Sequence, residues 1–152
     1  MKKVIILFIL AHLVLGAKRY CIPDIKANWF KAHEFCTTLG MELISIESQA
    51  EHNALIKFIR STDKFSNATR FWIGASDLAE EGIYTWISSG RLVTFTNWAA
   101  NEPNNINNTE HCIEIIHNIY INQVWQWNDM ECRNEIAYFV CESEDIQCVD
   151  NF

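Results

Sequence analysis

The sequence predicts an α+β domain, and three observations predict it: two amphipathic helical stretches in the N-terminal half, a run of short strands beyond them, and an even set of cysteines able to staple the two parts. The chain has 152 residues, 49% of them hydrophobic, and six cysteines, enough apolar material for one domain with a real core. A first strand is expected around Arg19–Ile22. Asn28 is placed to cap a helix in which Trp29, Ala32, Cys36 and Leu39 share one face, and Gly40 stops it. Leu43–Ile46 alternates as a strand. Ser48-Gln49-Ala50-Glu51 reads as a capping box that opens a second helix with Leu55, Phe58 and Ile59 inward. From Phe71 the pattern changes to short strands at Phe71–Ile73, Ile83–Trp86, Cys112–Ile116, Gln123–Trp127 and Ala137–Cys141, divided by turn-rich segments. Between Thr96 and Glu110 runs a long asparagine-rich loop, too polar for core, and loops of that length in compact domains are usually functional or disordered.

The chain's first residues set its expected compartment. Lys2 and Lys3 precede an apolar run from Val4 to Leu15, broken only by His12, and the small residues Gly16 and Ala17 follow. That order is a secretory signal peptide, residues 1–17; the run falls short of the roughly 20 residues of a membrane span. Residues 18–152 are then the mature domain, in an oxidising compartment where Cys21, Cys36, Cys112, Cys132, Cys141 and Cys148 read as three bridges of open connectivity. Cysteine-held zinc is disfavoured, because no C-x2-C or H-x3-H spacing occurs. The formal charge of −7 falls to about −9 once Lys2 and Lys3 are removed. Such a balance argues against nucleic acid or anionic lipid as partners and suits a divalent cation. No repeat, heptad or collagen-like stem is present, so the sequence leaves oligomerisation open.

Two polar clusters carry the chemistry: Glu102-Pro103-Asn104 with Glu110 closing the same loop, and Asn128-Asp129 just before Cys132. Carboxylate and amide oxygens without thiol or imidazole suit a hard cation such as calcium, which takes about 6 to 8 oxygens at about 2.3 to 2.6 Å. Glu102, Asn104, Glu110, Asn128 and Asp129, with the Asp129 carbonyl, supply about six and leave room for two more. Neighbouring hydroxyls of a sugar fit those positions. A carboxylate accepts and an amide NH2 donates, so Glu102 with Asn104 serves one hydroxyl and Glu110 with Asn128 the other. A cis Glu102-Pro103 bond, open at low cost only to proline, would aim the flanking side chains at one point.

With Trp72-Ile73-Gly74-Ala75 upstream, Glu102-Pro103-Asn104, Glu110, Trp127-Asn128-Asp129 and four of the cysteines, the sequence resembles the C-type lectin family from about Tyr20 to Glu142. The resemblance implies a C-type lectin-like fold and a calcium-dependent sugar-binding, non-enzymatic domain. It pairs Cys36 with Cys141 and Cys112 with Cys132. The first and last strands are neighbours in that fold, so a Cys21–Cys148 bridge is expected to tie the ends. Glu102, Asn104, Glu110, Asn128 and Asp129 match the family's principal calcium site. Their Glu-Pro-Asn form is similar to that of mannose-type lectins, which accept equatorial 3- and 4-hydroxyls as in mannose, N-acetylglucosamine or fucose. Asp77 and Glu81, with the shared Glu110, match an auxiliary calcium site, although Asn105 stands where aspartate is common. Ile106 and Met130 flank the expected sugar position.

Other conspicuous residues receive plainer readings. The six tryptophans follow helix-face and strand patterns and are assigned to the core, and His33, His52, His111 and His117 have no partner acid in recognisable spacing and are read as surface histidines. Asn67-Ala68-Thr69 and Asn107-Asn108-Thr109 are N-glycosylation sequons. The competing functional reading keeps the fold but gives it a protein or other non-sugar ligand.

Overall fold

A computed structural model describes residues 18–144; the signal-peptide reading of residues 1–17 and Cys148 lie outside the described residues. In order, the elements are β1 (Arg19–Cys21), α1 (Trp29–Thr38), β2 (Glu42–Leu43), α2 (Gln49–Arg60), β3 (Ala68–Ser76), β4 (Thr85–Trp86), β5 (Glu110–Asn118), β6 (Gln123–Glu131), β7 (Tyr138–Phe139) and β8 (Cys141–Ser143). Two short 3-10 turns, Ile106–Asn108 and Ile119–Ile121, flank β5. The architecture is α+β, with both helices in the N-terminal half.

Both helix starts follow their capping chemistry. Asn28 Oδ1 accepts from the Lys31 N–H at 2.9 Å, and Ser48 Oγ accepts from the Glu51 N–H at 3.2 Å, each satisfying a donor that the first helical turn leaves open. The Glu51 carboxylate reaches back one residue further than a capping box requires, accepting from the Glu47 N–H at 2.6 Å. Leu39 caps the end of α1, and Gly40 follows at φ 68, a left-handed conformation that glycine adopts without steric cost.

β3, β5 and β6 form the centre of the larger sheet, in the order β4-β3-β5-β6, and β7 pairs parallel to β3. The smaller sheet runs β1-β8-β2, all antiparallel. Strand side chains alternate between faces, and that alternation divides the core in two. Phe71, Ile73 and Ala75 of β3 join Ile113, Ile115, Trp125 and Trp127 beneath Leu55 and Ile59 of α2. Trp72, between them in sequence, points the other way and packs with Trp29, Ala32 and Cys36 of α1. Each fully buried side chain of this kind contributes about 1.5–3 kcal/mol of transfer free energy. The two faces are locked by indole donors: Trp29 Nε1 donates to the Ile73 carbonyl at 2.8 Å and Trp72 Nε1 to the Ala27 carbonyl at 2.9 Å.

Two disulfides are formed among the described residues, Cys36–Cys141 and Cys112–Cys132. The first joins α1 to β8; the second ties the start of β5 to the segment after β6.

Several expected elements are shorter. Of Leu43–Ile46 only Leu43 lies in a strand, because Ile44 turns to receive the Gly74 N–H at 2.8 Å. The expected Ile83–Trp86 strand contracts to Thr85–Trp86, and Ile83 is exposed. The expected Ala137–Cys141 strand divides, since the chain leaves β7 beside β3 and enters β8 in the other sheet. Phe58 is half-buried, at the edge of the α2 face, against Tyr20.

The histidines need a larger correction. His52 and His117 are buried, not on the surface. The His117 ring lies tilted against that of Trp125, with centroids 4.5 Å apart, and its Nδ1 is 3.0 Å from the Ser66 carbonyl. His52 sits among Phe95 and Trp127 with Nε2 at 3.2 Å from the Asn97 amide, and burial lowers its pKa from the usual histidine value. The tryptophans are core residues as expected, except that Trp98 is only half-buried.

Candidate functional site

The long loop is pinned at its start to β6. Trp127 N–H donates to the Asn97 carbonyl and Ala99 N–H to the Trp127 carbonyl, both at 2.8 Å. Its asparagines have a local purpose beyond polarity. Asn101, Asn105, Asn107 and Asn108 all take positive φ, 70, 41, 57 and 57, a region that asparagine enters more readily than most residues. The Glu102-Pro103 bond is cis.

This backbone folds the loop onto Asp129, which is buried on β6. Asn104 N–H donates to Asp129 Oδ1 at 3.1 Å and Asn105 N–H to Oδ2 at 2.8 Å. The Ile106 N–H is shared between Asn104 Oδ1 and Glu110 Oε2, each at 3.1 Å. Glu110 N–H in turn donates to Asn105 Oδ1 at 3.0 Å. Four of the five expected ligands, Glu102, Asn104, Glu110 and Asp129, are thus gathered around one another. Asn128 adjoins Asp129 on β6, and its amide is engaged elsewhere: Nδ2 donates to Glu114 Oε1 at 3.3 Å. Ile106 is exposed at the loop tip and Met130 is half-buried at the end of β6.

The electrostatics of the group are unbalanced. Burial, then the Asp129 carboxylate bonded to it, and the charge of Glu110 push Glu102 up to about 7. Glu110 is raised too, by burial first and by Asp129 and Glu135, against the Ile106 N–H that favours its charged form. Among the described residues no lysine or arginine pairs with Glu102, Glu110 or Asp129, and the buried Glu102 Oε2 has no hydrogen-bond partner. Like charges at close range with an orphaned oxygen are the setting a cation relieves. The donors are all oxygens, the type that a hard cation such as calcium prefers. The residues present therefore fit calcium.

Glu114, unremarked in the sequence, is fully buried behind this site. It supports Asn128, and its Oε2 lies 3.5 Å from Arg70 Nε. Burial pushes it up to about 7 in spite of the nearby guanidinium. Its place between Ile113 and Ile115 gave no sign of an inward acid, because alternation along a strand turns it to the other face; both faces of β5 are covered.

The auxiliary pair, Asp77 and Glu81, does come together, but its third neighbour is His111. Asn105, expected there, has its side-chain oxygen on the Glu110 N–H. His111 Nδ1 lies 3.0 Å from Asp77 Oδ1 and 3.4 Å from Glu81 Oε2, so the reading of His111 as lacking a partner acid is corrected. The separation of 34 residues between His111 and Asp77 hid the pairing from any local spacing rule.

A fold of two helices against two sheets, carrying a long, oxygen-lined polar loop, is that of a binding domain of the lectin type. The Lectin C-type domain model matches residues 25–143, and the chain belongs to the C-type lectin family. It is 58% identical over 142 residues to the C-type lectin mosGCTL-7 of Aedes aegypti, covering 93% of this chain and 94% of that protein. Salivary C-type lectin 1 of Aedes albopictus is 36% identical, with 82% and 81% of the two chains covered. Among solved structures, the mouse scavenger receptor C-type lectin carbohydrate-recognition domain superposes with a TM-score of 0.70 at 29% identity, over 84% of this chain and 90% of that one. The SPL-1 complex with GlcNAc gives a TM-score of 0.70 at 28% identity, over 85% and 89%. The chain is a carbohydrate-binding lectin domain and not an enzyme. No helix among the described residues is long and apolar enough to cross a membrane.

Proposed function

We propose that this lectin binds sugars through calcium held by Glu102, Asn104, Glu110, Asn128 and Asp129, and that it accepts rings with equatorial 3- and 4-hydroxyls, as in mannose, N-acetylglucosamine and fucose. The observation that carries the reading is the uncompensated cluster of Glu102, Glu110 and Asp129 around Asn104, with one carboxylate oxygen left without a partner. The ion supplies two coordination positions for vicinal hydroxyls. Glu102 and Glu110 accept hydrogen bonds from the hydroxyls, and the Asn104 and Asn128 amides donate to the hydroxyl oxygens. The Asn128 amide has two N–H groups, so its bond to Glu114 leaves one for a ligand. The GlcNAc complex of the SPL-1 neighbour supports the sugar class. Calcium at an auxiliary position near Asp77, Glu81 and Asn105 belongs to the same reading.

The chain is secreted in this proposal after loss of residues 1–17, with Cys21 joined to Cys148. Asn67 and Asn107 are both exposed, as glycan acceptors must be, and a glycan on Asn107 would stand at the edge of the sugar loop. Glycan-array binding with calcium and with a chelator tests the function directly: strong signals on mannose-type glycans that vanish with chelator are expected. Calcium-independent binding, or a preference for galactose, defeats the reading. Binding to a protein that soluble mannose cannot compete favours the non-sugar alternative.

A further inference from the structure

We propose that the apolar surface at the far end of the larger sheet, made by Phe65 and the Ile119–Ile121 turn, is the seat of a glycan on Asn67, whose innermost sugar packs there as a fixed part of the domain; this rests on the reading of Asn67 as an occupied glycan acceptor. β5 has Glu110 at the sugar loop and Asn118 at its other end, nine residues in all. Roughly 27 Å of strand therefore separates this surface from the sugar loop.

The turn between β5 and β6 does not need apolar residues for its shape. Asparagines set it: Asn118 Oδ1 accepts from the Tyr120 N–H at 3.1 Å, and Asn122 closes the turn at φ 58. Between them Ile119, Tyr120 and Ile121 are 47%, 75% and 60% exposed, and none is part of the core. Phe65, 38% exposed, stacks on Trp125 with ring centroids 6.0 Å apart and meets the His117 ring edge-on at 5.3 Å. Large apolar side chains gathered in this way at the surface of a domain mark a contact.

The glycan acceptor is fastened beside this surface. Ala68 is the register partner of Asn118, and the Ile119 N–H continues the ladder by donating to the Asn67 carbonyl at 3.1 Å. Asn67 and Ile119 thus stand opposite one another, and side chains opposite across an antiparallel pair share a face, with Cβ atoms about 5 Å apart. Phe65 precedes Asn67 by two residues in a tightly held segment. Ser66 Oγ donates to the Ala68 carbonyl at 2.9 Å, Thr69 Oγ1 donates to the Lys64 carbonyl at 3.2 Å, and the Ser66 carbonyl meets His117 Nδ1 at 3.0 Å. Asn67 is exposed, and among the described residues no side-chain hydrogen bond engages its amide.

The chemistry of an N-glycan suits such a surface. Its innermost residue is a β-linked N-acetylglucosamine whose ring substituents are all equatorial, so the ring faces present axial C–H groups. These pack on the electron-rich face of an aromatic ring or on an aliphatic side chain, while the hydroxyls at the rim stay in water. The covalent tether holds the sugar at a high effective concentration beside Phe65 and Ile119. A second copy of the chain or a lipid surface, by contrast, has to displace a bulky hydrophilic group rooted opposite Ile119. Because the two elements meet only in the folded chain, the covered apolar area stabilises the fold.

The test uses the full chain secreted from a eukaryotic host as wild type, Asn67→Gln, Phe65→Ala, Ile119→Ser, and each of the last two combined with Asn67→Gln. Glycopeptide mass spectrometry reads occupancy first, and an unmodified Asn67 in wild type overturns the proposal together with the glycan reading beneath it. With Asn67 occupied, Asn67→Gln should melt at least about 3 °C below wild type, and wild type trimmed enzymatically to a single N-acetylglucosamine should stay within about 1 °C of the untrimmed protein. The loss caused by Asn67→Gln should shrink by at least about half in the Phe65→Ala and Ile119→Ser backgrounds, as it does when two groups act through one contact. Should Phe65→Ala misfold, the exposed Ile119→Ser carries the same comparison. Equal melting of occupied wild type and Asn67→Gln, or an undiminished loss in the folded backgrounds, overturns the proposal and leaves the glycan reading standing. Self-association of glycosylated wild type that Ile119→Ser abolishes overturns it as well, by giving the surface to a second copy.

Discussion

Asn128 on β6 donates its side-chain amide to Glu114 on β5 across 3.3 Å, and the two are direct partners in the strand register. A buried acid therefore stands immediately behind a residue of the proposed sugar site. Glu114 pushed up to about 7 by burial, with Glu102 similarly raised by burial and its carboxylate neighbours, makes the stability of the metal-free protein depend on pH.

The sign follows from linkage. A carboxyl whose pKa is raised in the folded state contributes stability that is complete below its unfolded value, near 4.5, and is lost as pH rises through about 7. In chelator, the melting temperature should rise by several degrees between about pH 8 and about pH 5.5. Glu114→Gln should flatten the rise and gain stability at the alkaline end. Scanning calorimetry checks both, and a pH-independent melting temperature in wild type would refute the assignment.

Calcium reverses the trend at the loop. Protons compete with the ion for Glu102, Glu110 and Asp129, so affinity for mannose-type ligand should fall on acidification toward about pH 5. Asp129→Asn removes one charge at the centre of the group, and calcium affinity measured by calorimetry should drop by at least about tenfold, or about 1.4 kcal/mol. Level affinity across that range, or in that variant, would count against the ligand set.

The order of donors and acceptors supports a specificity prediction. Exchanging acid and amide in Glu102→Gln with Asn104→Asp reverses which group accepts and which donates. The double variant should lose binding to immobilised mannose while retaining calcium. Unchanged mannose retention would show that these two side chains do not read the sugar.

Gly74 is a packing constraint. A Cβ at this position would lie 2.6 Å from the Leu43 carbonyl oxygen and 3.0 Å from that of Ile44, both backbone atoms that cannot turn aside. Gly74→Ala should therefore cost about 1–3 kcal/mol in urea unfolding. An unshifted midpoint would mean that the 43–44 segment moves freely away from β3.

The disulfides should differ in weight. Cys36–Cys141 closes 105 residues and Cys112–Cys132 closes 20. The loop-entropy relation gives about 4.7 and about 3 kcal/mol respectively. Paired alanine replacements compared by denaturant unfolding should keep that order. The shorter bridge should affect ligand binding more, since it ties the strands that carry Glu110 and Asp129.

Much of this protein was legible in its residues. Asn28 and Ser48 announced both helix starts because capping is local chemistry, and Phe71–Ile73 announced a strand, whose burial on both faces only the structure shows. Glu102, Asn104, Glu110 and Asp129 were legible as one oxygen-rich set because hard-cation chemistry is written in side-chain type. Local pattern could not show that Ala137–Cys141 would divide between two sheets, or that Leu43–Ile46 would bend to meet Gly74.

The sequence by itself thus determined the fold class, the family and the chemical kind of the sugar loop, all of which depend on residue type and near-neighbour spacing. Tertiary structure alone decided which distant groups meet: His111 with Asp77 and Glu81, Asn128 with the buried Glu114, and His52 and His117 among aromatic rings. The physical reason is burial and electrostatics, which are set by the space around a side chain and have no counterpart along the chain.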